Sequence, residues 1–156
     1  MNQKQLTETV RKFFDHIEWQ YDFDETDNYF MTGSRFEGGV EYCNVIVDVE
    51  DEFVHCYAVV PFEVPAERRA DAAEFVTRAN SGMKRGAFEL DYADGEVRFH
   101  TYMDVPEGAA EPSEIQLVLL TQAPIAMIQR YGMGLKDVAE GTKTPAQAVA
   151  EAETRS

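Results

Sequence analysis

The chain has 156 residues, a length that fits one domain and lets roughly two thirds of the extended surface be buried without disulfides or metal. Apolar residues make up 44% and aromatics 12%, which excludes a disordered chain. Acidic residues number 29 against 14 basic ones, and the resulting charge of −15 argues against nucleic acid phosphates and anionic membranes as partners.

The first helix runs from Gln3 to Ile17, because Leu6, Val10, Phe13, Phe14 and Ile17 recur at helical spacing. Asn2 and Gln5 form a capping box at its start. The period then falls to two. Trp19, Tyr21 and Phe23 alternate with Gln20, Asp22 and Asp24, which predicts a half-buried strand. Tyr29 to Phe36 is the next strand, weakened by Gly33. Val40–Val49 and Phe53–Val60 alternate most clearly, and Glu50-Asp51-Glu52 joins them in an antiparallel hairpin. A two-residue loop is read as setting Val45 opposite Cys56, with Cys43 a diagonal neighbour. Pro61 to Pro65 ends that run.

A second helix covers Ala66 to Ala79, with Ala70, Ala73 and Val76 on one side and a stop at Gly82. Phe88, Leu90 and Tyr92 then alternate, as do Val97, Phe99, Thr101 and Met103. Asp94-Gly95 between them signals a tight hairpin in which both residues tolerate positive φ. Ser113 and Gln116 cap a third helix that reaches Tyr131 and continues toward Val138. Pro124 lies inside it and removes the hydrogen bond to the Leu120 carbonyl, which predicts a kink or a break. Thr144-Pro145-Ala146-Gln147 opens a short last helix. The order α-β-β-β-β-α-β-β-α-α reads as an α+β fold. One domain spans 1–156, with 141–156 a C-terminal helical extension.

The chemistry-bearing residues do not assemble into a motif. Cys43 and Cys56 form no zinc array, and the N-terminus lacks an apolar signal core. The stretch Ile115 to Ile128 falls short of the ~20 residues of a membrane span. These features read as a cytoplasmic protein with reduced thiols. His16, His55 and His100 have no metal-like spacing and read as ordinary surface or half-buried residues. Asp22, Asp24 and Asp27 fail the calcium-loop pattern, and no phosphate-binding loop or nucleophile elbow is present. The reading is therefore no enzyme, no metal and no cofactor.

The third helix is apolar almost all round and needs cover on two sides. The first and last helices can supply it, or a second copy, or a partner segment. Ile115, Leu119, Ile125, Met127 and Ile128 are the candidate interaction surface. His55, Tyr57, Phe99 and Tyr102 are the candidate pocket for a small ligand. Arg68, Arg69, Arg78, Lys84 and Arg85 form a basic exception, read as surface balance, with a small-anion or acidic-peptide site as the sharper alternative.

The run Phe75-Val76-Thr77-Arg78-Ala79-Asn80, followed by Gly86-Ala87-Phe88-Glu89-Leu90-Asp91 and Asp94-Gly95-Glu96-Val97-Arg98-Phe99, resembles the YbjN-like family of bacterial sensory transduction regulators. Tyr131 and the stretch Gly141 to Ala148 resemble it too. The resemblance implies a fold like that of type III secretion chaperones, with a strongly curved antiparallel sheet and flanking helices. Those chaperones are commonly dimeric and bind extended segments without catalysis. The helix after Gly141 departs from that pattern. Asn80, Gly86 and Gly95 match the family motif and are assigned structural roles. The expected function is that of a non-catalytic, protein-binding or chaperone-like regulator, homodimeric, with an unidentified protein or peptide partner. A small ligand on the concave face of the sheet is the alternative.

Overall fold

The computed structural model describes residues 1–154. The Asn2 side chain accepts from the Gln5 amide and the Gln5 side chain from the Asn2 amide, so the capping box opens α1 (Gln3–His16). The chain then builds β1 (Asp22–Asp24), β2 (Tyr29–Arg35), β3 (Tyr42–Glu50) and β4 (Phe53–Glu63). A 3₁₀ turn over Ala66–Arg68 leads into α2 (Arg69–Asn80). The strands β5 (Ala87–Leu90) and β6 (Glu96–Asp104) follow, then α3 (Glu114–Glu140) and α4 (Pro145–Thr154). All strands pair antiparallel in one sheet, in the order β1-β2-β3-β4-β6-β5. The fold is α+β, as the alternation of periods predicts.

The helices gather on one face of the sheet. There α1 packs on β3, α2 on β5, and α3 on β3, β4 and β6. Val54, Cys56 and Ala58 of β4 and Val97, Phe99 and Thr101 of β6 point into this layer and are buried. The residues between them point the other way and form a face without a helix.

Several local expectations change. Trp19 and Tyr21 precede the strand rather than belong to it. Glu18 takes a φ of 57°, and the chain folds back so that the Trp19 amide donates to the Phe14 carbonyl. Their rings pack about Phe14 at 5.4 and 5.2 Å, so the alternating aromatics make a corner and only Asp22–Asp24 pair. The turn between β3 and β4 is centred between Asp51 and Glu52, which puts Val47 opposite Cys56 and Val45 opposite Ala58. Cys43 is thus not a diagonal neighbour of Cys56. Both thiols are free and buried. Burial pushes Cys43 up to about 11 and raises Cys56 as well.

β4 also runs past Pro61 to Glu63. Pro61 has no N–H to give, but it falls beyond the last paired residue of β3, and the register against β6 shifts between Val59 and Glu63. In α2 the buried side is Ala72, Phe75, Val76 and Ala79, while Ala70 is exposed and Ala73 only half-buried. The stripe at 72, 75, 76 and 79 has regular helical spacing, and Phe75, the largest apolar side chain of α2, sets the side that turns inward.

The turn before β6 is wider than a two-residue hairpin. Asp91 accepts from the Ala93 amide, Asp94 accepts from the Glu96 amide, and of Asp94 and Gly95 only Gly95 has positive φ. A Cβ on Gly95 would stand 2.1 Å from the Val64 carbonyl, so this turn latches to the connector after β4. Asn80 holds the end of α2 to β5, its side-chain amide exchanging hydrogen bonds of 2.7 and 3.0 Å with the Phe88 backbone.

The predicted break at Pro124 does not occur: α3 is one helix of 27 residues. The Leu120 carbonyl that Pro124 cannot reach accepts instead from Thr101 Oγ1 of β6 at 2.6 Å. A strand side chain thus completes a helix. Ala148, Val149 and Ala152 of α4 are buried, and α4 packs on α2 and α3. The last two residues of the predicted extension, 155–156, lie outside the described residues.

Candidate interaction surfaces

The chain covers the C-terminal half of α3 and leaves one side of its N-terminal half exposed. Ile125 and Ile128 are buried in the chain's own core and offer no surface. The reason is that α2 and α4 close over the C-terminal half of the helix while the sheet backs it. Ile115 is 72% exposed, Leu119 40% and Val118 36%. Met127 is half-buried and faces a cleft. Of the five predicted surface residues, Ile115 and Leu119 form a ridge, Met127 continues its line, and Ile125 and Ile128 leave it.

Two clefts flank this line. One, of about 400 Å³, lies between Gln116, Leu119 and Leu120 of α3 and Thr101, Tyr102 and Met103 of β6, with Arg85 and Gly86 at its mouth. The second, of about 420 Å³, lies between Ala123, Met127, Arg130 and Tyr131 of α3 and the segment Ser81–Arg85. The predicted basic group divides at this point. Arg68 stands 3.8 Å from Asp71, Arg78 pairs with Glu74 at 2.9 Å, and Arg69 donates to the Val64 and Tyr92 carbonyls. Lys84 and Arg85 make no ion pair among the described residues and join Arg130 beside the second cleft. No sequence signal tied Arg130 to them, because the contact is made only when α3 packs beside the end of α2.

On the face without a helix, β4 and β6 bring His55, Tyr57, His100 and Tyr102 together. Phe99 is absent from this group. It sits on the opposite face, fully buried, because successive residues of a strand point to opposite sides. His55 and His100 are not the isolated residues their spacing suggests: His55 Nδ1 lies 2.8 Å from His100 Nε2. His100 Nδ1 lies 2.7 Å from Glu89 Oε1. The carboxylate fixes the proton on His100 Nδ1, so His100 Nε2 accepts from His55 Nδ1–H in the neutral pair. Arg98 donates to Glu89 Oε2 at 2.8 Å and lies 4.2 Å from the centre of the Tyr57 ring. Tyr57 stacks on His100 at 4.5 Å, and Phe53 stacks on Tyr102 at 5.4 Å.

The electrostatics follow from half-burial. Burial holds His55 below the ordinary imidazole value, and the neighbouring His100 adds to the effect. Burial pushes the Glu89 carboxyl up, but hydrogen bonds from Arg98 and His100 outweigh it and hold Glu89 below the usual value. Burial raises the Tyr57 hydroxyl, with Arg98 opposing. These side chains satisfy one another in a flat stack. Both thiols point to the opposite face, so no cysteine nucleophile faces the histidines. Among the described residues, no three His, Cys, Asp or Glu side chains gather as metal ligands. No helix among them is long and apolar enough to cross a membrane.

Comparison with known proteins places this architecture. No curated protein matches the chain. The crystal structure of YbjN from E. coli, called there "a putative transcription regulator", matches with a TM-score of 0.63 at 13% identity, covering 86% of this chain and 92% of that one. At that identity the likeness is one of fold. The family model YbjN, described as "Putative bacterial sensory transduction regulator", matches residues 7–132, from the first helix to the middle of α3. The chain belongs to the YbjN family.

Proposed function

We propose that this protein is a non-catalytic regulator that acts by binding a segment of another protein, and that it does so as a homodimer. The observation that carries the reading is the apolar ridge of Ile115, Val118 and Leu119, left bare beside two clefts. Contiguous exposed apolar surface on a domain of this size marks an interaction site. The secretion-chaperone resemblance agrees with the binding of a partner segment, and the groove along α3 suits a helical one. The second copy belongs on the face without a helix, where Met31, Tyr42 and Tyr102 are exposed. A twofold interface needs a self-complementary patch, and this face carries Arg98 and two histidines beside Asp48, Glu50 and Glu89. The small-ligand alternative has less support, since His55 and Tyr57 already engage each other and their neighbours.

Light scattering at two protein concentrations tests the arrangement. The wild type is expected to be dimeric at both, Tyr102→Glu monomeric, and Leu119→Asp still dimeric. A monomeric wild type at both concentrations removes the homodimer. A monomeric Leu119→Asp gives the ridge to the second copy and removes it as the seat of a partner segment.

A further inference from the structure

We infer that the segment held along α3 is acidic and amphipathic, an assignment that rests on the protein-binding reading above. The two clefts follow one side of α3 from Gln116 to Tyr131, and Arg85 lines both. At 1.5 Å per residue the groove is roughly 22 Å long, room for about four turns of a helix. Its apolar lining is Leu119, Leu120, Ala123 and Met127, with Met83 across from them.

The rim has the opposite sign to the rest of the molecule. Elsewhere Arg11 faces Glu8, Arg78 pairs with Glu74, Arg98 with Glu89, and Lys143 with Asp137 and Glu151. Lys84 and Arg85 make no ion pair among the described residues, and Arg130 donates to the Glu153 backbone carbonyl at 3.3 Å. Among the described residues, the other cations without an ion pair, Lys4, Lys12, Arg35, Arg69 and Lys136, line neither cleft. One carboxylate stands at the far end: Glu153, whose Oε1 accepts from the Tyr131 hydroxyl at 3.3 Å. A chain of charge −15 therefore sets three cations against one carboxylate, Glu153, around its apolar groove. A segment with apolar residues on one side and acids on the other buries the first on α3 and brings the second to Lys84, Arg85 and Arg130. A basic segment sets its charges against theirs and is rejected at contact. The rim is thus basic, where the overall charge alone points to acidic, and the favoured partner changes sign with it.

The six methionines provide native reporters. Met83, Met103 and Met127 line the groove, whereas Met31 is exposed on the face without a helix. The probe is a helical peptide of about four turns with leucines on one side and glutamates on the other, and a matched peptide carrying lysines. Methyl NMR of the ¹³C-methionine protein is expected to show the glutamate peptide moving Met83, Met103 and Met127 and leaving Met31. The exposed double variant Lys84→Glu/Arg85→Glu is expected to keep the fold by circular dichroism and to weaken that binding at least about tenfold. The inference is overturned if the lysine peptide moves the same three methyls, or if charge reversal changes nothing. Shifts confined to Met31 overturn the groove and leave the protein-binding reading standing. Groove methyls that move with protein concentration alone give the groove to a second copy, which also overturns the inference. No shift with either peptide removes both readings.

Discussion

The two faces of the β4–β6 pair are made by alternate residues of the same two strands, yet they depend on different physics. Toward the helices stand Cys56, Ala58 and Phe99, dry and close-packed, where volume decides stability. Away from them stand the part-buried His55, Tyr57 and His100 and the exposed Tyr102, where hydrogen bonds, stacking and charge decide it. Thr101 is the exception that explains the rule. It is polar on the dry face because α3 has a carbonyl there that its own backbone cannot satisfy. Alternation sorts side chains by face, but a proline one layer away dictates which residue the face needs.

The largest break in this comparison is a deletion on the dry face. Phe99→Ala removes a fully buried ring that meets Phe88 edge-on at 4.9 Å. Urea unfolding is expected to show a loss of about 4 kcal/mol. Equal truncation on the other face, at Tyr102, is expected to cost less than about 1 kcal/mol, because that ring is 59% exposed.

Thr101→Val keeps the shape and removes the hydroxyl, so the Leu120 carbonyl is left buried and unpaired. The expected cost is about 2 kcal/mol. The sharper form is a double-mutant cycle with Pro124→Ala, which restores an N–H to that carbonyl. In the Pro124→Ala background the cost of Thr101→Val is expected to fall below about 1 kcal/mol. An unchanged cost would refute the idea that the strand completes the helix.

Glu89→Gln strips the charge that Arg98 and His100 share. The Glu89 side chain is 39% exposed, so solvent screening limits the loss to about 0.5–1 kcal/mol, measured by the same unfolding curves. The smallest effect is the pH dependence of His55. Its folded value lies below the unfolded one, so the unfolded chain takes up the proton first. The stability it contributes is complete above the ordinary imidazole range and is lost as pH falls through its depressed value. Its surroundings are His100 and Arg98 on β6, Asp48 and Glu50 on β3, and Tyr57 on its own strand. Unfolding curves from neutral pH to about pH 5 are expected to lose stability, and His55→Phe to flatten that slope. Glu89 adds a loss of the same sign at lower pH, through its own depressed value.

Much of the fold was legible locally. The Asn2–Gln5 and Ser113–Gln116 capping boxes form as their spacing predicts, and strand alternation assigns the inward residues of β3 and β4 correctly. What failed was decided by tertiary contact. Nothing in the residues around Pro124 announces that a threonine from β6 satisfies Leu120. The exception is α2, where the inward side Ala72, Phe75, Val76 and Ala79 has plain helical spacing and the bulk of Phe75 outweighs the alanines at 70 and 73. The site was legible in part, because tertiary contact decides it too. Ile115 and Leu119 are exposed, whereas Ile125 and Ile128 share their apolar signal and differ only in what packs over them. His100 meets His55 because β4 pairs with β6 across an intervening helix and strand, a pairing that spacing along the chain does not encode.

The two ends of the sheet carry a consequence for life at high concentration. An open sheet can recruit further strands through the unpaired backbone of its outermost members, and this is a route to fibres. One outermost strand, β1, has three residues, two of them aspartates. The other, β5, has four, and the Asn80 amide already occupies the outward N–H and C=O of Phe88 in the middle of it. Asn80 thus acts as a dummy strand of one residue, a stopper that ends the sheet at β5.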